Sequence, residues 1–142
     1  MDVLLADDDS DDCLLFKDAL SSIPISTHLI VVNDGEQLMN LLTSIFKIPE
    51  ILFLDLNMPR KNGFECLAEL KTMQRLEHMP IVIFSTSFDI DLVKKLYNEG
   101  DAYYIRKPNE FRKFTEIVHY AISTVNQAQL LKPTLDNFIL HS

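Results

Sequence analysis

The sequence predicts an α/β fold, a five-stranded parallel sheet with helices packed on both faces. Three observations carry that expectation. Short apolar runs such as Ile51-Leu52-Phe53-Leu54 and Ile81-Val82-Ile83-Phe84 show no polar alternation, the habit of strands covered on both sides. Segments with helical apolar spacing lie between such runs, so a βα unit repeats five times, which calls for parallel strands joined by right-handed crossovers. The chemically distinctive residues fall where each strand ends, the edge at which open α/β sheets gather their ligands.

The first strand, Asp2-Val3-Leu4-Leu5-Ala6, stops at Asp7-Asp8-Asp9-Ser10-Asp11-Asp12, five acids among six residues. Acids in a first helical turn face the positive end of the macrodipole, and Ser10 or Asp9 can cap the free amides, which accounts for Asp9, Asp11 and Asp12. Asp7 and Asp8 need another explanation. Leu15, Phe16, Ala19, Leu20 and Ile23 then mark a helix face, ended by Pro24. Residues 27–32 read as a β-branched second strand closed by the turn Asn33-Asp34-Gly35. Asp34 and Gln37 form a capping pair for a helix that faces inward through Leu38, Leu41, Leu42 and Ile45.

After Pro49 the third strand runs into Asp55 and the loop Leu56-Asn57-Met58-Pro59-Arg60-Lys61-Asn62-Gly63. Alone, an aspartate there reads as a strand end or the opening of a turn. Asn62-Gly63 opens a helix with Phe64, Leu67 and Leu70 inward and Met73 as a further candidate, and a polar loop leads to Pro80. The fourth strand ends in the hydroxyl cluster Ser85-Thr86-Ser87. Residues 89–99 form a helix through Ile90, Val93, Leu96 and Tyr97, with Gly100 in the place of a C-cap. Ala102-Tyr103-Tyr104-Ile105-Arg106 is the last strand and ends at Lys107-Pro108. Phe111, Phe114, Ile117, Val118, Ala121, Ile122 and Val125 give the last helix the clearest periodicity in the chain. The tail, residues 126–142, still carries Leu130, Leu131, Leu135, Phe138, Ile139 and Leu140, which should be packed because bare apolar patches are rarely left exposed.

A length of 142 residues suits one domain, and 47% hydrophobic with 24% charged residues suits a globular chain. No apolar run approaches the ~18 residues of a membrane span, and the N-terminus lacks a signal-peptide pattern, so a cytoplasmic protein is expected. A net charge of -8, with 13 basic residues thinly spread, argues against nucleic-acid binding. Cys13 and Cys66 have no metal-ligand spacing, and His28, His78, His119 and His141 are scattered and read as surface residues.

Aligning the strand ends brings together Asp7 and Asp8, Asp55, Ser85 and Lys107. Carboxylates this close repel, by about 4 kcal/mol for a unit pair ~4 Å apart at an effective dielectric near 20. Lys107 supplies one compensating charge. A hard divalent cation supplies the rest, and Mg²⁺ suits a site of few carboxylates and several waters. The same groups suit phosphoryl transfer to Asp55 as a carboxylate nucleophile. Asp8, Asp55 and the backbone carbonyl of Asn57 would hold Mg²⁺, with Asp7 reaching it through water. Lys107 would pair with a phosphoryl oxygen and Ser85 would donate a hydrogen bond.

With these residues placed, the chain resembles the receiver domains of two-component response regulators. Asp7-Asp8, Asp55-Leu56-Asn57-Met58-Pro59 followed by Gly63, Ser85-Thr86 and Lys107-Pro108 stand in that family's order across roughly residues 2–125. Each motif is weak alone, and together they are specific. The resemblance implies the flavodoxin-like strand order 2-1-3-4-5. It implies a histidine kinase or phosphotransfer protein as phosphoryl donor and a cis Lys107–Pro108 bond. It also implies a switch in which Ser85 moves toward the phosphoryl group and Tyr104 turns inward, altering the face of the fourth helix, fifth strand and fifth helix. Periodicity alone leaves Tyr103 and Tyr104 as plain core residues. Ser85 stands where threonine is more frequent in the family.

The expected protein is therefore a stand-alone receiver, residues 1–125, with a packed extension over 126–142 and no output domain. It acts as a signalling switch, catalysing only its own phosphorylation and dephosphorylation, and works through an unidentified downstream protein target. Neither nucleic acid nor membrane is a partner, and the chain is a monomer or weak homodimer through its last helix or tail. A non-phosphorylated receiver-like interaction module is the alternative. A haloacid-dehalogenase-like phosphatase wants a second acid where this chain has Asn57, and a nucleotide-binding enzyme wants a glycine-rich loop that three glycines do not form.

Overall fold

The apolar runs pair as parallel strands in the order β2-β1-β3-β4-β5. The computed structural model describes residues 1–86, 90–99 and 102–128. Its strands are β1 (Asp2–Ala6), β2 (His28–Val32), β3 (Ile51–Leu54), β4 (Ile81–Ser85) and β5 (Ala102–Arg106). Between and after them come α1 (Ser10–Ser22), α2 (Gly35–Ser44), α3 (Gly63–Leu70), α4 (Ile90–Glu99) and α5 (Phe111–Ala128). None of these helices is long and apolar enough to cross a membrane.

Alternate strand residues point to opposite faces, and each face has its own core. Leu4, Leu52, Leu54 and Ile83 pack with Leu38 and Leu42 of α2, Cys66, Leu67 and Leu70 of α3, and Leu96 of α4. Val3, Leu5, Phe53 and Phe84 pack on the other side with Phe16, Ala19 and Leu20 of α1 and Phe114, Val118 and Ala121 of α5. That second core holds an edge-on aromatic chain, with ring centroids 4.8 Å apart for Phe16 and Phe53 and 5.3 Å for Phe84 and Phe114.

The helix starts follow local chemistry. Asp9 caps α1 by accepting from the amides of Asp11 and Asp12, and Asn62 and Glu65 form a reciprocal capping box at α3. Asp34 caps α2 as expected, but Gln37 returns its side chain to the amide of Asn33, one residue earlier than a capping box requires.

Several expectations need correction. Phe64 is 39% exposed, because the stripe of α3 that reaches the core is Gly63, Cys66, Leu67 and Leu70, and Phe64 falls beside it. Ile90 and Phe111, the first residues of α4 and α5, are likewise exposed. The loop before Pro80 contains a short 3-10 turn, Gln74–Leu76, that buries Leu76. The ladder of β2 starts at His28, not Thr27, and α5 continues three residues beyond Val125. His28 and His78 are exposed as expected, and His119 is half-buried. The hydroxyl of Ser87, the cap at Gly100, the side chains of Val93, Tyr97 and Val125, and the apolar tail from Leu130 onward lie outside the described residues.

Candidate functional site at the carboxyl edge of the sheet

Three of the ladders, β1–β2, β1–β3 and β4–β5, carry one residue past a strand end, and those residues meet. The amide of Asp7 donates to the carbonyl of Val32 at 3.0 Å, that of Asp55 to Ala6 at 2.9 Å, and that of Lys107 to Ser85 at 2.7 Å. The backbone thus sets Asp7, Asp55 and Lys107 at one edge before any side chain is considered. Carboxylate oxygens of Asp7, Asp8 and Asp55 all lie within 4.8 Å of one another, with Asp7 and Asp55 buried and Asp8 exposed.

Lys107 closes the site from below. Its ammonium donates to Asp7 Oδ2 at 2.7 Å, to Asp12 Oδ2 at 2.9 Å and to Asp55 Oδ2 at 3.5 Å. The ammonium also sits 5.5 Å from the centre of the Phe84 ring, within cation–π reach. Burial alone lowers the affinity of this ammonium for its proton, yet the bonds to Asp7 and Asp12 win and hold it above its ordinary value.

Burial also dominates Asp7. It pushes the carboxyl from 3.8 up to about 6, against the pull of Lys107 and of the Asp9 amide, and the charge of Asp55 adds to the rise. A raised carboxyl favours folding below its unfolded value and loses that contribution as pH rises through the folded one. Relative to Asp7→Asn, the metal-free wild type is therefore expected to lose unfolding free energy between pH 3.8 and about 6. Urea titrations of both proteins at several pH values check this, and a wild type that gains stability relative to Asp7→Asn as pH rises contradicts it. The Cys13 thiol, pushed up to about 11 by burial and then by Asp7, stays protonated beside the site.

The loop after Asp55 is held in place from two sides. The amide of Asn57 donates to Asp55 Oδ1 at 3.1 Å, and that of Gly63 to the carbonyl of Leu56 at 3.0 Å. Arg60 adopts a left-handed φ of 65° and sets its guanidinium 3.8 Å from Asp34 and 3.6 Å from Glu36. Lys61 pairs with Glu69 of α3. A Cβ at Gly35 would lie 2.0 Å from the carbonyl oxygen of Lys61, so the loop rests directly on the start of α2. Gly35→Ala must push that backbone away. It is expected to cost roughly 1–3 kcal/mol and to weaken cation binding at the aspartates, as urea unfolding and Mn²⁺ titration would show. Unchanged stability and affinity would mean that the loop position does not depend on this contact.

The structure thus brings Asp7, Asp8, Asp55 and Lys107 together. Ser85, fully buried, ends β4 next to β3, and Asn57 reaches the site through its backbone. Tyr104 is fully buried in the core on the α2 and α3 side, whereas Tyr103 is half-buried. Two expectations change. No peptide bond among the described residues is cis, so Lys107–Pro108 is trans. The ladder bond and all three carboxylate contacts of Lys107 are made with the isomer that X-Pro bonds prefer by about 0.5–1 kcal/mol. Asp12, read as a helix-start acid, is also a ligand of Lys107. Side chains of a first helical turn lean back toward the preceding strand, and only three residues separate β1 from α1, which was the available signal.

The three aspartates offer an all-oxygen donor set, which fits a hard divalent cation such as Mg²⁺. The fold and site together define a doubly wound parallel sheet with an acidic, all-oxygen edge and a buried lysine. The chain belongs to the response regulator receiver domain family, whose model matches residues 3–119. Response regulator Rcp1 of Synechocystis sp. is 31% identical over 121 residues, covering 82% of this chain and 82% of that protein. Among solved structures, the phosphorylated cyanobacterial phytochrome response regulator RcpA superposes with a TM-score of 0.79 at 28% identity, covering 94% of this chain and 98% of that one. The Mn²⁺-bound form of response regulator Rcp1 gives a TM-score of 0.77 at 28% identity, covering 94% and 99%. The chain is thus a receiver domain of two-component signalling, with the strand order that the resemblance implied.

Proposed function

We propose that the chain is a phosphorylation-dependent switch in which Asp55 accepts a phosphoryl group from a histidine kinase or phosphotransfer protein. The observation that carries this reading is the cluster of the Asp7, Asp8 and Asp55 carboxylates within 4.8 Å of one another, two of which, Asp7 and Asp55, share one buried lysine. Two similar proteins support it, RcpA having been solved phosphorylated and Rcp1 with Mn²⁺.

An oxygen of Asp55 attacks phosphorus, the bond to the donor's imidazole nitrogen breaks, and its electron pair stays on that nitrogen. The amide of Asn57 holds the other Asp55 oxygen, which orients the attacking one. Asp8, Asp55 and the Asn57 carbonyl would hold Mg²⁺, with Asp7 acting through water. When bound, the cation supplies positive charge to the phosphoryl oxygens. Lys107 donates to another phosphoryl oxygen, and the Ser85 hydroxyl donates to a third. The chain catalyses no reaction beyond gain and loss of its own phosphoryl group.

Output follows from the same contacts. Lys107 and Ser85 lie at the ends of β5 and β4, so drawing them toward Asp55 stabilises the inward position that Tyr104 already holds and biases the surface of α4, β5 and α5, through which a downstream protein is contacted. The full chain mixed with Mg²⁺ and beryllofluoride should show amide shifts on that surface. Shifts confined to the immediate surroundings of Asp55 would contradict the switch, and identical target binding with and without the additives would favour a constitutive interaction module.

A further inference from the structure

We propose that Asp12 is a releasable latch on Lys107, holding the ammonium on the α1 side of the site until a phosphoryl group on Asp55 displaces it. This rests on the reading of Asp55 as phosphoacceptor. A lysine ammonium has three hydrogens to donate. Here three carboxylates take them, Asp7 at 2.7 Å, Asp12 at 2.9 Å and Asp55 at 3.5 Å. Phosphorylation at Asp55 Oδ2 frees only the longest of these contacts, so an ammonium seated beside Asp7 and Asp12 must also give up one of its two short contacts to move fully onto a phosphoryl oxygen.

Burial decides which partner leaves. The Asp7 side chain is 1% exposed and cannot recover water if released, whereas that of Asp12 is 24% exposed and can. The long contact to Asp55 shows that the ammonium is seated toward Asp7 and Asp12 in the unphosphorylated protein. The backbone of Asp12 is fixed independently, since its amide donates to Asp9 Oδ1 at 3.0 Å. Its carboxylate is thus a separable element that opposes engagement of Lys107 by the phosphoryl group. Asp11 sits beside it with the same charge, exposed, and is not among the carboxylates that Lys107 contacts.

The test is beryllofluoride affinity of the full chain at saturating Mg²⁺, measured for wild type, Asp12→Asn and Asp11→Asn, with Mg²⁺ affinity measured alongside. Asp12→Asn should bind beryllofluoride about tenfold more tightly, the scale of one charge-assisted hydrogen bond, while binding Mg²⁺ no better than wild type. Asp11→Asn should stay within about twofold, as a screened exposed charge does. Equal affinities for wild type and Asp12→Asn, or equal gains in both variants, overturn the latch. A parallel gain in Mg²⁺ affinity also overturns it, because that indicates a general change in the site. Absence of beryllofluoride binding by wild type defeats the phosphoacceptor reading instead. The Lys107 ¹⁵Nζ resonance of the metal-free protein then decides the contact alone. It should move in Asp12→Asn and not in Asp11→Asn, and an unmoved resonance overturns the proposal.

Discussion

Asp55→Asn is expected to abolish phosphoryl uptake and the accompanying amide shifts while leaving the fold intact. An amide offers no anionic oxygen to attack phosphorus, so the loss should be complete within detection rather than partial. Stability should move the other way. Asp55 lies within 4.8 Å of two other carboxylates and makes the longest of the three contacts to Lys107, so its charge is repelled more than it is paired. The metal-free variant should therefore be more stable, by about 1 kcal/mol, a fraction of the pairwise repulsion at an effective dielectric near 20. Urea unfolding without Mg²⁺ measures this, and a destabilised variant would mean that Asp55 is held by its contacts more firmly than it is repelled.

Lys107→Ala is expected to have the largest effect on the metal-free fold. The substitution leaves Asp7 and Asp55 buried without their cation, and breaking a buried pair in this way costs about 3 kcal/mol. The deficit should grow with pH. Without Lys107 the Asp7 carboxyl rises further above its unfolded value of 3.8, and a raised carboxyl loses its stabilising contribution as pH increases. Mg²⁺ should restore part of the loss by neutralising the same carboxylates. Phosphorylation should persist in this variant while the amide shifts on α4, β5 and α5 disappear, since the link from phosphoryl group to β5 is gone. A variant as stable as wild type at neutral pH without metal, or one that still switches, contradicts the role given to Lys107.

Most of the site was legible because strands buried on both faces leave few polar residues, so a carboxylate, hydroxyl or lysine at a strand end stands out. Asp7, Asp55 and Lys107 were readable for that reason. Asp12 was not, since acids in a first helical turn already have a sufficient explanation in the helix dipole, and nothing in the local pattern separates Asp12 from Asp11. Strand order came from family resemblance, because a one-dimensional pattern does not say that β1 lies between β2 and β3. Phe64 and Cys66 flank the Leu67–Leu70 line of α3 on opposite sides, so apolar spacing alone is satisfied by either, and the larger side chain reads as the core residue although the smaller one is. The trans bond at Pro108 shows the limit of carrying a family feature onto a local geometry that is satisfied without it.

The central claim is tested most directly by treating the full chain with Mg²⁺ and a small phosphodonor, then trapping and mapping the acyl phosphate by peptide mass spectrometry. A single adduct on the peptide containing Asp55, absent in Asp55→Asn, is the expected result. An adduct on Asp7, Asp8 or Asp12, or no adduct while the Mg²⁺ site is filled, would contradict it.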